Sequence, residues 1–230
     1  MRRTLVFVTV GLLAALDVAS ASASGLDLRL GAFGPNTKSN LFDDVNDLYI
    51  RDGERIGKRD WVGFSGGFEY NLQPARNVEV GLHLDAYSRT LNTVYREFER
   101  PDGREIAQTL KLTVVPVGVS LRLVPTSRRA KLAPYVAVGA DLFVWKYEEV
   151  GDFIDFFDPD LPISGDSFVS EGVTGGFHVA GGLRVPLSSD FSVVGEVKYQ
   201  YAKTKMGDDF RNNEIDLSGV GATLGIHLRF

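Results

Sequence analysis

The 230-residue chain contains no cysteine at all. Disulfides and thiolate chemistry are therefore excluded, and an exported protein of this size must be held by another device. Only three histidines are present, His83, His178 and His227. They are scattered along the sequence, so neither a zinc or redox centre nor any cofactor is expected. Beyond the N-terminus no run approaches the ~18 apolar residues of a membrane-spanning helix. An excess of basic charge is also missing: the formal net charge is −5, which argues against nucleic acid as a partner. Heptads, low-complexity tracts and domain linkers are absent too.

What is present begins with "MRRTLVFVTVGLLAALDVASASA". Arg2 and Arg3, a largely apolar run from Leu5 to Leu16 and the closing Ala21-Ser22-Ala23 form the three parts of a secretory signal peptide. Cleavage is expected before Ser24. Residues 1–23 are then leader and residues 24–230 one domain, whose formal charge falls from −5 to −6 as Arg2, Arg3 and Asp17 depart.

The remainder alternates with a period of two, the mark of strands with unlike faces. Ser24–Gly34 sets Leu26, Leu28 and Leu30 against Asp27 and Arg29. Trp61–Asn71, Asn77–Tyr87, Ala133–Trp145, Gly175–Leu187, Phe191–Tyr201 and Val220–Phe230 behave alike. Thr109–Leu123 changes phase at Val114–Pro116, where a β-bulge is predicted, since Pro116 removes a ladder donor. Each segment is long enough to cross a bilayer at ~9–11 tilted residues. Connections alternate in length, long at 35–60, 88–108, 146–174 and 202–215 and short at 72–76, 124–132 and 188–190. Long outer loops and short periplasmic turns are the pattern of outer-membrane barrels. Trp61, Trp145, Tyr147 and Tyr201 fall at the long-loop ends of their strands, and Tyr70, Tyr135, Phe191 and Phe230 at the short-turn ends. They are expected as two girdles of interfacial anchors, although Trp61, Tyr135 and Trp145 have inward parity.

The signal peptide, eight strands and a terminal strand ending Ile226, Leu228, Phe230 resemble the outer-membrane β-barrel superfamily. The similarity is to small eight-stranded barrels of the outer membrane protein A transmembrane-domain and porin-like type. It implies an all-β, eight-stranded antiparallel up-and-down transmembrane β-barrel in the outer membrane. It further implies lipid and lipopolysaccharide as surroundings, and a final strand read by the barrel-insertion machinery.

The charged row is then expected inside, because Arg or Lys facing lipid near the midplane costs ~2–4 kcal/mol. Six acids (Asp27, Glu69, Glu79, Asp85, Asp141, Glu196) and six bases (Arg29, Lys111, Arg122, Arg184, Lys198, Arg229) are predicted to pair as a plug. A soluble secreted binding barrel would instead place this row in water. Some outer-membrane barrels modify lipid A with a His-x-Ser pair and a Glu. Here His178 is followed by Ala180, with Glu196 on the next strand, so no nucleophile and base stand together. The chain is accordingly read as non-enzymatic, serving envelope integrity or surface interaction. A narrow porin-like channel for small solutes is the alternative, and a lipid A-modifying enzyme a more distant one. The loop at 148–171 holds eight acids and no cation, which points to divalent cations or a basic partner. In the first loop, Arg55, Lys58 and Arg59 are placed near lipopolysaccharide phosphates.

Overall fold

The computed structural model describes residues 23–125, 131–156, 158–210 and 213–230. The expected leader, all but Ala23, and Phe157 of the third loop lie outside the described residues. Along the chain come β1 (Ala23–Pro35), α1 (Asn40–Leu48), β2 (Tyr49–Arg51), β3 (Glu54–Arg55), β4 (Gly63–Ala75), β5 (Val78–Glu99) and β6 (Glu105–Leu123). There follow β7 (Ala133–Ile154), β8 (Ile163–Pro186), β9 (Phe191–Tyr201), β10 (Lys203–Lys205), β11 (Glu214–Asp216) and β12 (Gly219–Arg229). Antiparallel pairing runs β1, β4, β5, β6, β7, β8, β9, β12 and back to β1. Closure gives each of these eight strands ladder partners on both sides within the ring. That closure is the device that replaces disulfides. It is sealed where Ser24 and Phe230 exchange backbone hydrogen bonds of 3.1 and 3.0 Å.

Outside, the lower part of the ring is an apolar belt, with Leu30, Phe64, Val136, Val138 and Leu224 all more than half exposed. Above it the outer face turns polar at Ser88, Thr113 and Lys146, which adjoin one another across β5, β6 and β7. The strands do not stop there. The β5–β6 and β7–β8 hairpins run on to tips at 100–104 and 155–162, so much of the expected third loop is strand. Tight turns use the expected chemistry: Asp52 and Gly53, both at positive φ, close the β2–β3 hairpin, and Gly103 closes β5–β6.

The predicted bulge at Val114–Pro116 does not exist. Register is continuous from Leu84↔Val117 to Tyr87↔Val114 and through Pro116↔Phe143. Leu110, Leu112 and Val114 point inward, and Lys111 and Thr113 outward. The apolar row changes face because the surroundings change. Above the belt the outer face meets water, while the interior is covered by a cap. That cap is built by α1, whose Leu41, Phe42 and Val45 form one buried face, and by the β10–β11 hairpin with Met206, Ile215 and Leu217. Both pack onto Leu91, Ile106, Leu110, Leu112 and Phe143 in one continuous core.

Candidate functional site

The interior has two storeys, and strand parity builds the lower one. Inward positions of β1, β4, β5, β6, β8 and β9 bring together Arg29, Glu69, Glu79, Arg122, Arg184 and Glu196. Arg122 is the hub, with Nη1 donating to Asp27 (2.9 Å) and Nη2 to Glu69 (2.8 Å). Its guanidinium also lies 4.4 Å from the centre of the Tyr135 ring. Arg29 Nη1 donates to Glu69 (2.9 Å) and Glu196 (2.8 Å), and Arg184 Nη1 to Glu79 (2.9 Å). Lys198 Nζ reaches Asp85 at 2.7 Å. Planar guanidinium groups suit this layer because each can serve several carboxylates in fixed directions.

Two of the predicted members are elsewhere. Lys111 stands on the outer face above the belt, 3.9 Å from Glu148. Arg229 has inward parity but is only half-buried at the rim, and it makes no ion pair among the described residues. Among the described residues the layer therefore holds six carboxylates (Asp27, Glu69, Glu79, Asp85, Asp141, Glu196) against four arginine or lysine cations (Arg29, Arg122, Arg184, Lys198).

The histidines join this layer. His227 Nδ1 lies 2.6 Å from Asp27 Oδ1. On the opposite wall, Asp141 stands between two imidazoles: His83 Nε2 is 2.9 Å from Oδ1, and His178 Nδ1 is 2.8 Å from Oδ2. All three residues are buried, and one ligand atom from each can be chosen within 4.8 Å of the others. Register explains the meeting. His83 on β5 is level with Gly118 on β6, which is level with Asp141 on β7. A Cβ at Gly118 would overlap Asp141 Oδ1, and one at Gly139 would overlap the His178 ring. His83 and His178, far apart in sequence, are thus neighbours in space. Both have inward parity and face glycines, Gly118 on β6 and Gly139 on β7.

The upper storey corrects the girdle assignment. Trp61, Trp145 and Tyr147 are buried in the cap, where Trp61 packs edge-on against Phe42 with ring centres 5.3 Å apart. Tyr135 faces inward and donates to Glu196 Oε2 at 2.9 Å. Tyr70, Phe191, Tyr201 and Phe230 have outward parity. Tyr70 and Phe230 form a pair at the short-turn rim, with ring centres 6.3 Å apart, and Tyr201 stacks on Phe177 at 5.2 Å. Between the storeys lies a cavity of about 50 Å3 lined by Arg29, Phe33, Asp85, Tyr87, Glu196 and Lys198, among others.

Two of the eight acids in the third loop meet cations of the chain itself. Lys146 Nζ donates to Glu148 at 2.6 Å, and Arg100 of the neighbouring hairpin ion-pairs with Asp152. Glu149 is drawn into the cap, where Tyr147 Oη donates to it at 2.7 Å.

The family profile for the outer membrane protein beta-barrel domain matches residues 5–230. No curated relative matches the sequence. The outer membrane protein OprG from Pseudomonas aeruginosa is similar over 91% of this chain and 96% of its own, with a TM-score of 0.58 at 12% identity. A major outer membrane protein from Thermus thermophilus is similar over 91% of this chain and 100% of its own, with a TM-score of 0.54 at 12% identity. The outer membrane protease OmpT from Escherichia coli is less alike, with a TM-score of 0.44 at 11% identity over 90% of this chain and 97% of its own. Likeness at such identities speaks for the barrel and not for an activity. With the profile spanning nearly the whole chain and the closed eight-stranded ring described above, the chain belongs to the outer membrane protein β-barrel family and is an integral protein of the outer membrane.

Proposed function

We propose that this protein is a non-enzymatic, non-conducting barrel that contributes to envelope integrity and presents a rigid surface for interaction outside the cell. One observation carries the reading: two packed layers close the interior, with a cavity of about 50 Å3 between them. A cross-linked charge layer occupies the lower storey, and a continuous apolar core closes the upper one. Water and ions entering from outside would have to displace Phe42, Trp61 and Phe143, all fully buried.

The non-enzymatic part rests on side-chain placement. Each histidine is engaged by a buried carboxylate, and position 180, beside His178, is an alanine. The surface role rests on the two long hairpins, whose registered strands carry the 100–104 and 155–162 tips well above the belt. Exposed Arg55, on β3 beside the upper part of the β5–β6 hairpin, together with Lys58 and Arg59 fits the phosphates of lipopolysaccharide. The acids at the β7–β8 tip fit divalent cations or a basic partner. Phe230, two-thirds exposed at the seam of the ring, fits the role of signal to the insertion machinery. We assign residues 1–23 the role of export leader.

Planar-bilayer recording of the folded protein tests the central point. The closed interior predicts no steady conductance in the wild type and opening events after Phe42→Ala combined with Trp61→Ala. Steady unitary conductance in the wild type would establish the porin-like alternative.

A further inference from the structure

The charge layer lacks two positive charges, and the deficit has an address. The arginines and Lys198 make ion pairs with Asp27, Glu69, Glu79, Asp85 and Glu196. Among the described residues, Asp141 alone of the six carboxylates has no arginine or lysine within 4 Å, and its charged-group contacts are two imidazoles. A buried, uncompensated carboxylate is costly, so something cationic belongs there.

The polar atoms point to an incomplete site. Asp141 Oδ1 and His83 Nδ1 are buried and have no hydrogen-bond partner among the described residues. Although His83 Nε2 lies 2.9 Å from that oxygen, the contact is close without being aligned as a hydrogen bond. Two donor atoms side by side but not directed at each other are what a shared third atom produces. A four-coordinate ion with bonds of ~2.0–2.1 Å holds its ligand atoms roughly 3.3 Å apart; the contacts here are shorter, 2.8 and 2.9 Å, so both rings would move outward by about half an ångström to admit it. The two rings stand at 87° with centres 4.9 Å apart, so they approach the carboxylate from different directions. Gly118 and Gly139 make the room that the Asp141 and His178 side chains occupy, as described above.

We propose that His83, Asp141 and His178 bind a divalent transition-metal ion of the zinc type inside the barrel wall. Two imidazoles and one carboxylate are a borderline nitrogen and oxygen set that suits such ions and discriminates against calcium and magnesium, which prefer all-oxygen shells. One divalent ion supplies the two charges that the layer lacks. Its role is structural: it ties β5, β7 and β8 together across the wall that β6 completes. The proposal stands whether or not the barrel conducts.

The test uses the mature chain folded in detergent micelles and freed of metal by a chelator. Cobalt(II) is titrated while visible absorption is recorded, zinc is then added to displace it, and bound zinc per chain is counted after gel filtration. The proposal predicts one tightly held ion, with cobalt bands of a low-coordinate nitrogen and oxygen site that zinc abolishes. His83→Ala, His178→Ala and Asp141→Asn should each weaken binding by at least about a hundredfold. His227→Gln, which alters a different carboxylate contact, should leave it unchanged. Absence of cobalt bands in the wild type overturns the proposal, as does full-strength binding in both histidine variants, which would mean surface adsorption. If the variants do not fold, imidazole nitrogen resonances of the wild type decide the matter. Zinc-dependent shifts at His83 and His178 support the site. Two doubly protonated rings, unchanged by zinc, would show that protons meet the deficit instead.

Discussion

Replacing Arg122 by methionine separates two charges that the sequence places in one row. Arg122 is 1% exposed and contacts Asp27, Glu69 and Glu79 at 2.9, 2.8 and 3.3 Å. Methionine keeps most of the volume but leaves these three carboxylates to Arg29, Arg184 and the histidine beside Asp27. Removing one partner from a buried ionic group costs about 3–5 kcal/mol, or roughly two to four powers of ten in the folding equilibrium. Lys111→Met is the matched control. Its ammonium lies outside the barrel in water, 3.9 Å from Glu148, where such a pair contributes at most ~1 kcal/mol. Urea titration in micelles, read by the heat-modifiable shift between folded and unfolded bands on SDS gels, measures both. A large loss for Arg122→Met and almost none for Lys111→Met is expected. Equal midpoints for the two variants would refute the inward charge layer.

Other perturbations probe the remaining surfaces. Val138→Arg, on the belt and 53% exposed, should destabilise the barrel by ~2–4 kcal/mol if it faces lipid; a neutral result in bilayers would put that face in water. Phe42→Ala should cost about 3–5 kcal/mol in the cap and expose the 36–62 segment to protease on whole cells, while the gel shift of the barrel persists. Excising 155–162 and joining Ile154 to Ile163, which are already paired, should leave assembly yield unchanged, because the tip contributes no ladder hydrogen bonds to the ring. Deleting Phe230 should lower that yield by removing both its contact with Tyr70 and the two backbone bonds to Ser24; undiminished insertion would deny the terminal aromatic its role.

The period-two rows made the ring legible, and they did so best where lipid lies outside and charges lie inside. Phe191–Tyr201 is the same in sequence and structure because the whole strand stays within that regime. The reading failed where the regime ends. On β6, Leu110, Leu112 and Val114 turn inward without any break in register, since water replaces lipid outside and the cap replaces the charge layer inside. An alternation rule that assumes one environment interprets that exchange as a bulge. The same assumption cut β5, β7 and β8 at a membrane's thickness, although their hairpins continue in solvent. Height along the strand puts Trp61, Tyr135 and Trp145 at the rims, but their inward parity is the stronger signal, and all three are buried. The helix α1 is nine residues long, and its apolar positions acquire meaning only against the rim they cover. The meeting of His83, Asp141 and His178 depends on strand order and register, which no single strand's pattern contains.

Orientation underlies every one of these statements, and the cysteine-free chain permits a direct measurement of it. Single cysteines at Val119, Ser120, Asn77 and Asp158 sample the belt, the interior, a short turn and a hairpin tip. The account predicts that a lipid-phase reagent modifies Val119→Cys but spares Ser120→Cys. A membrane-impermeant reagent on intact cells should modify Asp158→Cys and reach Asn77→Cys only after the outer membrane is opened. Lipid-phase labelling at position 120 in place of 119, or modification of position 77 in place of 158 on intact cells, would contradict it.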